Sequence, residues 1–242
     1  TATTEIYTGE DTLSLHDALP ILGRMEEASA ALPHIESDRA ALAQILATRP
    51  VWLAADVAPE EEAAVIAAHR DVLRLAHRLL LILVPQDPAR SEALAARLEA
   101  EEGWHVANRG RDEEPENETE VYIMDRDADY GLCYRLAPVT FLGGSLQGEG
   151  CGRNPMEAAA MGSAILYGPR AGNYAAAYAR LGAARAARMV GSASDLSLAL
   201  GDLLAPDRAA RQAQAAWMIT SEGADVTATV LQMARAILDG TD

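Results

Sequence analysis

The side chains best suited to chemistry gather in one glycine-rich stretch. From Val139 to Asn173 the chain reads VTFLGGSLQGEGCGRNPMEAAAMGSAILYGPRAGN, and Ser145, Gln147, Glu149, Arg153, Asn154 and Glu157 crowd its first half. A helix buried on one face needs none of them. Val139 to Leu142 is a short apolar run of strand type, ended by Gly143 and Gly144, where a second molecule can come close to the backbone. Asn154 reads as a helix N-cap with Pro155 at the first helical position, and Gly162 as the residue that closes the helix. A second strand, Ala164 to Tyr167, follows at once. This is half of a nucleotide-binding βαβ unit. Its loop lies where open α/β sheets bind ligands, and free N–H groups at a helix start suit a phosphate. By spacing alone an ordinary glycine-rich βαβ turn fits as well. The density of polar groups favours a site.

Other chemistries find less support. Ser145 reads as a hydrogen-bond donor in the loop, because no histidine base lies near it in sequence. His34, His69, His77 and His105 are all remote from the motif. The two cysteines, Cys133 and Cys151, have no metal-ligand spacing and read as free thiols of a reducing compartment, with Cys151 exposed by its loop position. Asp125, Asp127 and Asp129 lack the glycine and terminal glutamate of a calcium loop and read as a solvated turn and helix cap. No metal is expected. The formal net charge of −16 argues against nucleic acid and an anionic membrane surface as partners. No apolar run reaches the length of a membrane span, and no signal peptide is read.

The elements that must position the loop alternate regularly. Of the 242 residues half are hydrophobic, enough for a sizeable core. Residues 1–22 differ in style from the alanine-rich remainder. They resemble translated adaptor sequence and are expected to be non-native or disordered, a short helix Ser14–Leu22 being the alternative. The spacing then predicts a helix over 37–47, capped by Ser37 or Asp38, and a first strand from Val51 to Ala55. A helix opening at Pro59 follows, with Glu60, Glu61 and Glu62 serving its dipole. Strands are predicted over 79–84, 104–107 and 121–124, a helix over 91–101, and a mobile charged loop over 111–119. A short helix over 129–136 leads into the central strand. After Asn173 come a helix to Leu181, a strand over 187–190, and helices over 194–204, 206–220 and 224–238. The fold class is α/β: a Rossmann-like parallel sheet with helices on both faces.

Several of these segments together resemble a known family. Arg49-Pro50-Val51-Trp52-Leu53-Ala54-Ala55, Leu81 to Pro85, Phe141 to Leu146, Asn154-Pro155-Met156-Glu157, Gly168-Pro169 and Asn173-Tyr174 look like the C-terminal half of 3-deoxy-D-manno-octulosonic acid (Kdo) transferases. The resemblance runs from about Gly23 to Gly240. It implies the C-terminal domain of a GT-B glycosyltransferase: residues 23–242 as the domain binding the nucleotide sugar CMP-Kdo, with 223–239 a closing helix. The implied reaction transfers Kdo to a lipid A precursor in lipopolysaccharide core synthesis. Acceptor, general base and membrane anchor belong to the family's N-terminal half, at the cytoplasmic face of the inner membrane. No catalytic residue is therefore assigned to this chain, and the half by itself is expected to be inactive. Gly143, Gly144, Ser145, Arg153, Asn154 and Glu157 are implied to bind the nucleotide sugar, with Glu157 on the ribose. No cofactor is implied.

The chain departs from the family pattern in places. Arg153 stands where a histidine is usual, and the loop is one residue longer. Pro85-Gln86-Asp87-Pro88 replaces Pro-Arg-His-Pro, and Val57-Ala58-Pro59-Glu60-Glu61 replaces Thr-His-x-Gly-Glu-Glu. Two cations near the phosphate are lost, and Arg153 or Arg170 can restore one. Glu149 and Glu157 also match the E-x7-E spacing of retaining GT-B enzymes that use UDP- or GDP-sugars. That remains an alternative reading, as does a nucleotide-binding module without chemistry.

Overall fold

The computed structural model describes residues 31–47, 49–125 and 129–221. The segment 1–22 and the closing helix 223–239 lie outside the described residues. Seven strands form one sheet: β1 (Val51–Val57), β2 (Leu80–Pro85), β3 (His105–Asn108), β4 (Thr119–Ile123), β5 (Val139–Leu142), β6 (Ala164–Tyr167) and β7 (Ala187–Met189). Their spatial order is β3-β4-β2-β1-β5-β6-β7, and every pairing is parallel. The helices are α1 (Glu36–Leu46), α2 (Glu62–Leu73), α3 (Ser91–Glu102), α4 (Tyr130–Leu136), α5 (Pro155–Ala160), α6 (Ala175–Ala183), α7 (Ala193–Leu203) and α8 (residues 206–221). The expected Rossmann-like α/β class is the observed one.

The unbroken apolar runs of the strands follow from burial on both faces. One side of the sheet presents Leu53, Ala55, Ile82, Tyr122, Leu142 and Ile165, covered by α1, α4, α5 and α6. The other presents Trp52, Ala54, Leu81, Leu83, Phe141 and Leu166, covered by α2, α3 and α7. The closing helices wrap back over the sheet as the alternation requires: α7 packs against α2, and Gln212 on α8 donates to the Ile165 carbonyl at 2.8 Å.

Several local expectations need correction. Ser37 and Asp38 do not cap α1. Ile35 occupies that position without a side-chain bond, and Glu36 and Asp38 lie in the first turn, where acids favour the dipole without capping. The helix expected from Pro59 opens as a single 3-10 turn, Pro59–Glu61, before α2 begins. Asp129 precedes α4 but makes no cap bond; its carboxylate takes Arg109 at 2.7 Å. The charged loop over 111–119 is tied down: Arg111 bonds Glu92, Glu113 accepts from the Asn108 N–H, and Thr119 Oγ1 accepts from the Glu116 N–H.

Two buried groups hold the far end and the interior of the sheet. Arg49, only 8% exposed, precedes β1 and donates to the carbonyls of Arg78, Glu116 and Thr119. It thereby ties the entries of β1, β2 and β4. Replacing it with methionine leaves three carbonyls without their donor. We expect Arg49→Met to lose about 2–4 kcal/mol of stability, and Arg49→Lys somewhat less, read as a shift of the urea midpoint.

His69 is fully buried between Trp52 and Trp104 and accepts from Trp52 Nε1 through Nδ1 at 3.1 Å. Burial drives its pKa down to about 3. The unfolded chain therefore binds a proton below about pH 6.5 that the folded chain refuses until about pH 3. Stability should fall as pH drops through that window, by on the order of a few kcal/mol. His69→Gln keeps an acceptor for Trp52 and cannot titrate. Unfolding free energies at pH 7 and pH 4.5 should differ less in this variant than in the parent.

Candidate functional site

The chain reverses its direction of winding between β1 and β5. Such a switch point opens a crevice at the carboxyl ends of the two strands. Three loops border it: the exit of β1 to Glu61, the glycine-rich segment 143–154 after β5, and the exit of β6 through Tyr174.

The glycine loop is organised around an internal carboxylate. Glu61 is completely buried, and its oxygens accept from the backbone N–H groups of Gly144 (2.6 Å), Leu146 and Gln147 (2.9 Å). Gly144 turns with φ +69°, a conformation natural to glycine. Sequence reasoning assigned Glu61 to the helix dipole and missed this role, because its partners are some eighty residues away. A sequence signal is the adjacency of three acids shortly after a strand. Glu62 is diverted too: 3% exposed, it pairs with Arg90 and Arg97, each at 3.0 Å.

This arrangement changes the part played by the first half of the motif. The Gly143 N–H donates to the Ala55 carbonyl at 2.7 Å, and the Gly144 N–H is held by Glu61. Ser145 is fully buried; its hydroxyl donates to the Leu142 carbonyl and accepts from the Gly168 N–H at 2.7 Å. The three residues shape the crevice, with these donors already engaged. The segment is further stitched to the β6 exit. Arg170 donates from its backbone to Ser145 O and from its side chain to Gly148 O, while the Cys151 N–H donates to Arg170 O. Arg170 is thus a clamp on the loop.

The second half of the motif converges on a charged group. Asn154 caps α5, accepting from the Met156 N–H at 3.0 Å, and Pro155 occupies the first helical position. Arg153 donates to Glu157 at 2.7 Å and lies over the Tyr130 ring, 3.9 Å from its centroid. The Tyr134 hydroxyl lies beside the guanidinium without meeting hydrogen-bond geometry, and Arg153 Nε is buried with no acceptor. Burial opposes the charge of Arg153, but Glu157 and the neighbouring tyrosines outweigh it and its pKa is raised. For Glu157 burial wins over the arginine, and its pKa is also raised. Tyr130 and Tyr134 were not anticipated as part of this cluster; they arrive on α4, an element outside the motif.

Cys151 corrects another expectation. It is 5% exposed, and its sulfur lies 3.0 Å from the Tyr178 hydroxyl, so its place in a loop does not expose it. Glu149 is exposed, unlike the half-buried Glu157. Among the described residues no group of three or more histidine, cysteine, aspartate or glutamate side chains is placed to hold a metal. Among them, too, no helix is long and apolar enough to cross a membrane.

Comparison with known proteins bears on this geometry. No family model matches the chain. The 3-deoxy-D-manno-octulosonic acid transferase of Haemophilus influenzae is 32% identical over 126 residues, 52% of this chain and 29% of that protein. The Rickettsia bellii protein of the same name is 28% identical over 148 residues, 61% of this chain and 35% of that protein. The crystal structure of the C-terminal CMP-Kdo binding domain of WaaA from Acinetobacter baumannii superposes with a TM-score of 0.65 at 26% identity, covering 74% of this chain and 96% of that one. The likeness to the C-terminal half of Kdo transferases holds in both sequence and fold. The chain spans about a third of the length of the curated relatives it matches. Anabaena HepE, solved with UDP-glucose, shares the fold at a TM-score of 0.57 and 14% identity, covering 89% of this chain and 55% of that one.

The loop clasp can be tested directly. In Glu61→Gln an amide N–H₂ replaces one accepting oxygen and faces backbone donors. We expect this variant to lose about 2–4 kcal/mol in urea unfolding, and Glu61→Ala at least as much.

Proposed function

We propose that this chain is the donor-binding half of a Kdo transferase, taking CMP-Kdo into the crevice between β1 and β5. The observation that carries the reading is the state of Arg153. It is a guanidinium at the switch point, paired along one edge with Glu157 and lying over the Tyr130 ring. The side chain is 26% exposed, so a phosphate oxygen can reach the part of the guanidinium that Glu157 leaves open, in a charge-assisted contact.

The chemistry asks for such a group. Transfer breaks the bond between the anomeric carbon of Kdo and a single phosphate oxygen, and CMP departs with added negative charge. Arg153 supplies a cation for that charge without a metal, in a partly desolvated setting where it acts strongly. Its contact with Glu157 orients the carboxylate, whose other oxygen can accept from ribose hydroxyls. Gly143, Gly144 and Ser145 hold the crevice open rather than contact the phosphate, and Asn154 fixes the start of α5. The lipid A precursor and the general base belong, by resemblance, to the N-terminal half of such a transferase, and the whole protein would act at the cytoplasmic face of the inner membrane.

Calorimetric titration of the chain with CMP, UMP and UDP tests the reading. CMP should bind best. Arg153→Ala should weaken it about tenfold or more, Arg153→Lys less, and Glu157→Ala should reduce both affinity and the preference for a ribonucleotide. Preference for UDP would instead favour a retaining transferase using a nucleotide-diphosphate sugar. Absence of binding by any of the three would overturn the proposal.

A further inference from the structure

Asp56 stands at the carboxyl end of β1, facing the same crevice, and has no counterpart among the residues singled out from the sequence. The β1–β2 register shifts between Ala54 and Val57, and Asp56 itself has φ +57°, rare for a residue with a side chain. A bulge at a strand end redirects a side chain, and backbone of this kind persists where the surroundings enforce it. Here the redirected carboxylate crosses the glycine loop. A Cβ added to Gly152 would sit 2.4 Å from Asp56 Oδ2, so the loop admits the carboxylate only because residue 152 is glycine. The next residue is Arg153.

Tyr174 closes the cluster from the β6 side. It is half-buried at the end of the 3-10 turn Gly172–Tyr174. The turn packs on the glycine loop, where a Cβ added to Gly172 would sit 3.2 Å from the Cys151 carbonyl oxygen, and burial, ahead of Glu157, raises the Tyr174 pKa. It therefore stays a neutral O–H, able to donate and to accept.

An acid packed against this loop is out of place for phosphate alone. A carboxylate repels phosphate oxygens and accepts from hydroxyls. We propose that Asp56 and Tyr174 contact the hydroxyl groups of the transferred sugar, and so distinguish the intact nucleotide sugar from the free nucleotide. This rests on the donor-site reading above and extends it from nucleotide to glycosyl group. The ribose does not need Asp56, since Glu157 already faces that part of the ligand.

The test compares CMP with CMP-Kdo on the full chain, its Asp56→Asn variant and its Tyr174→Phe variant. Asparagine matches aspartate in size and tolerates positive φ, and Tyr174→Phe leaves the backbone untouched, so the second variant serves if the first fails to fold. Melting temperatures confirm folding of each. In Asp56→Asn the affinity for CMP-Kdo should fall about tenfold while that for CMP stays within about twofold or improves, because a negative charge near phosphate has gone. Tyr174→Phe should show the same selective loss, about threefold or more. Equal changes for both ligands, or no change for either, would overturn the inference. If the parent chain binds CMP and gains nothing from the sugar, the inference fails and the nucleotide reading stands. If it binds neither ligand, the nucleotide reading fails and takes the inference with it.

Discussion

One buried carboxylate governs the crevice. Glu61 has no contact with solvent, so its charge is tolerable only while backbone N–H groups surround it. Three such groups come from the glycine loop after β5, and the glutamate itself comes from the exit of β1. The bond set therefore clasps together the two loops that flank the switch point. It also settles how the glycine motif is used. Those donors serve an internal anion.

The rest of the site is built outward from that clasp. Arg170 and the Cys151 N–H fasten the loop to the exit of β6, and Ser145 bridges β5 to Gly168 from within. Arg153 then emerges where α4 brings Tyr130 beneath it and α5 brings Glu157 alongside. The paired carboxylate and the tyrosine face both restrict its rotamers before any ligand arrives.

The acidity of the chain takes on a different meaning in three dimensions. Every cation is an arginine, and the acids outnumber them by sixteen. Yet several acids serve fixed positions: Glu62 holds Arg90 and Arg97, Glu102 holds Arg70, and Asp129 holds Arg109. Fully exposed pairs add little to stability; Glu102 and Asp129 keep 12% and 17% of their side-chain surface exposed, so their pairs lie between the limits. Glu62 and Glu61 differ because they are buried, where losing a partner leaves a charge without compensation.

Much of this was legible in the sequence. Strands buried on both faces announce themselves as unbroken apolar runs, and β5 and β6 lie where the residues 139–142 and 164–167 predict. Asn154, Pro155 and Gly162 mark the ends of α5 because capping depends on near neighbours alone. The family likeness rests on the same local motifs. What only the tertiary structure decided involves partners far apart in the chain. Glu61 reads locally as a helix-dipole acid and Cys151 as an exposed loop thiol. Each is reassigned by a group brought in on another element. Local sequence determines backbone preference and burial pattern within a few residues. The destination of a buried charge depends on which loops the sheet order places side by side, and that order is set only when the whole sheet has assembled.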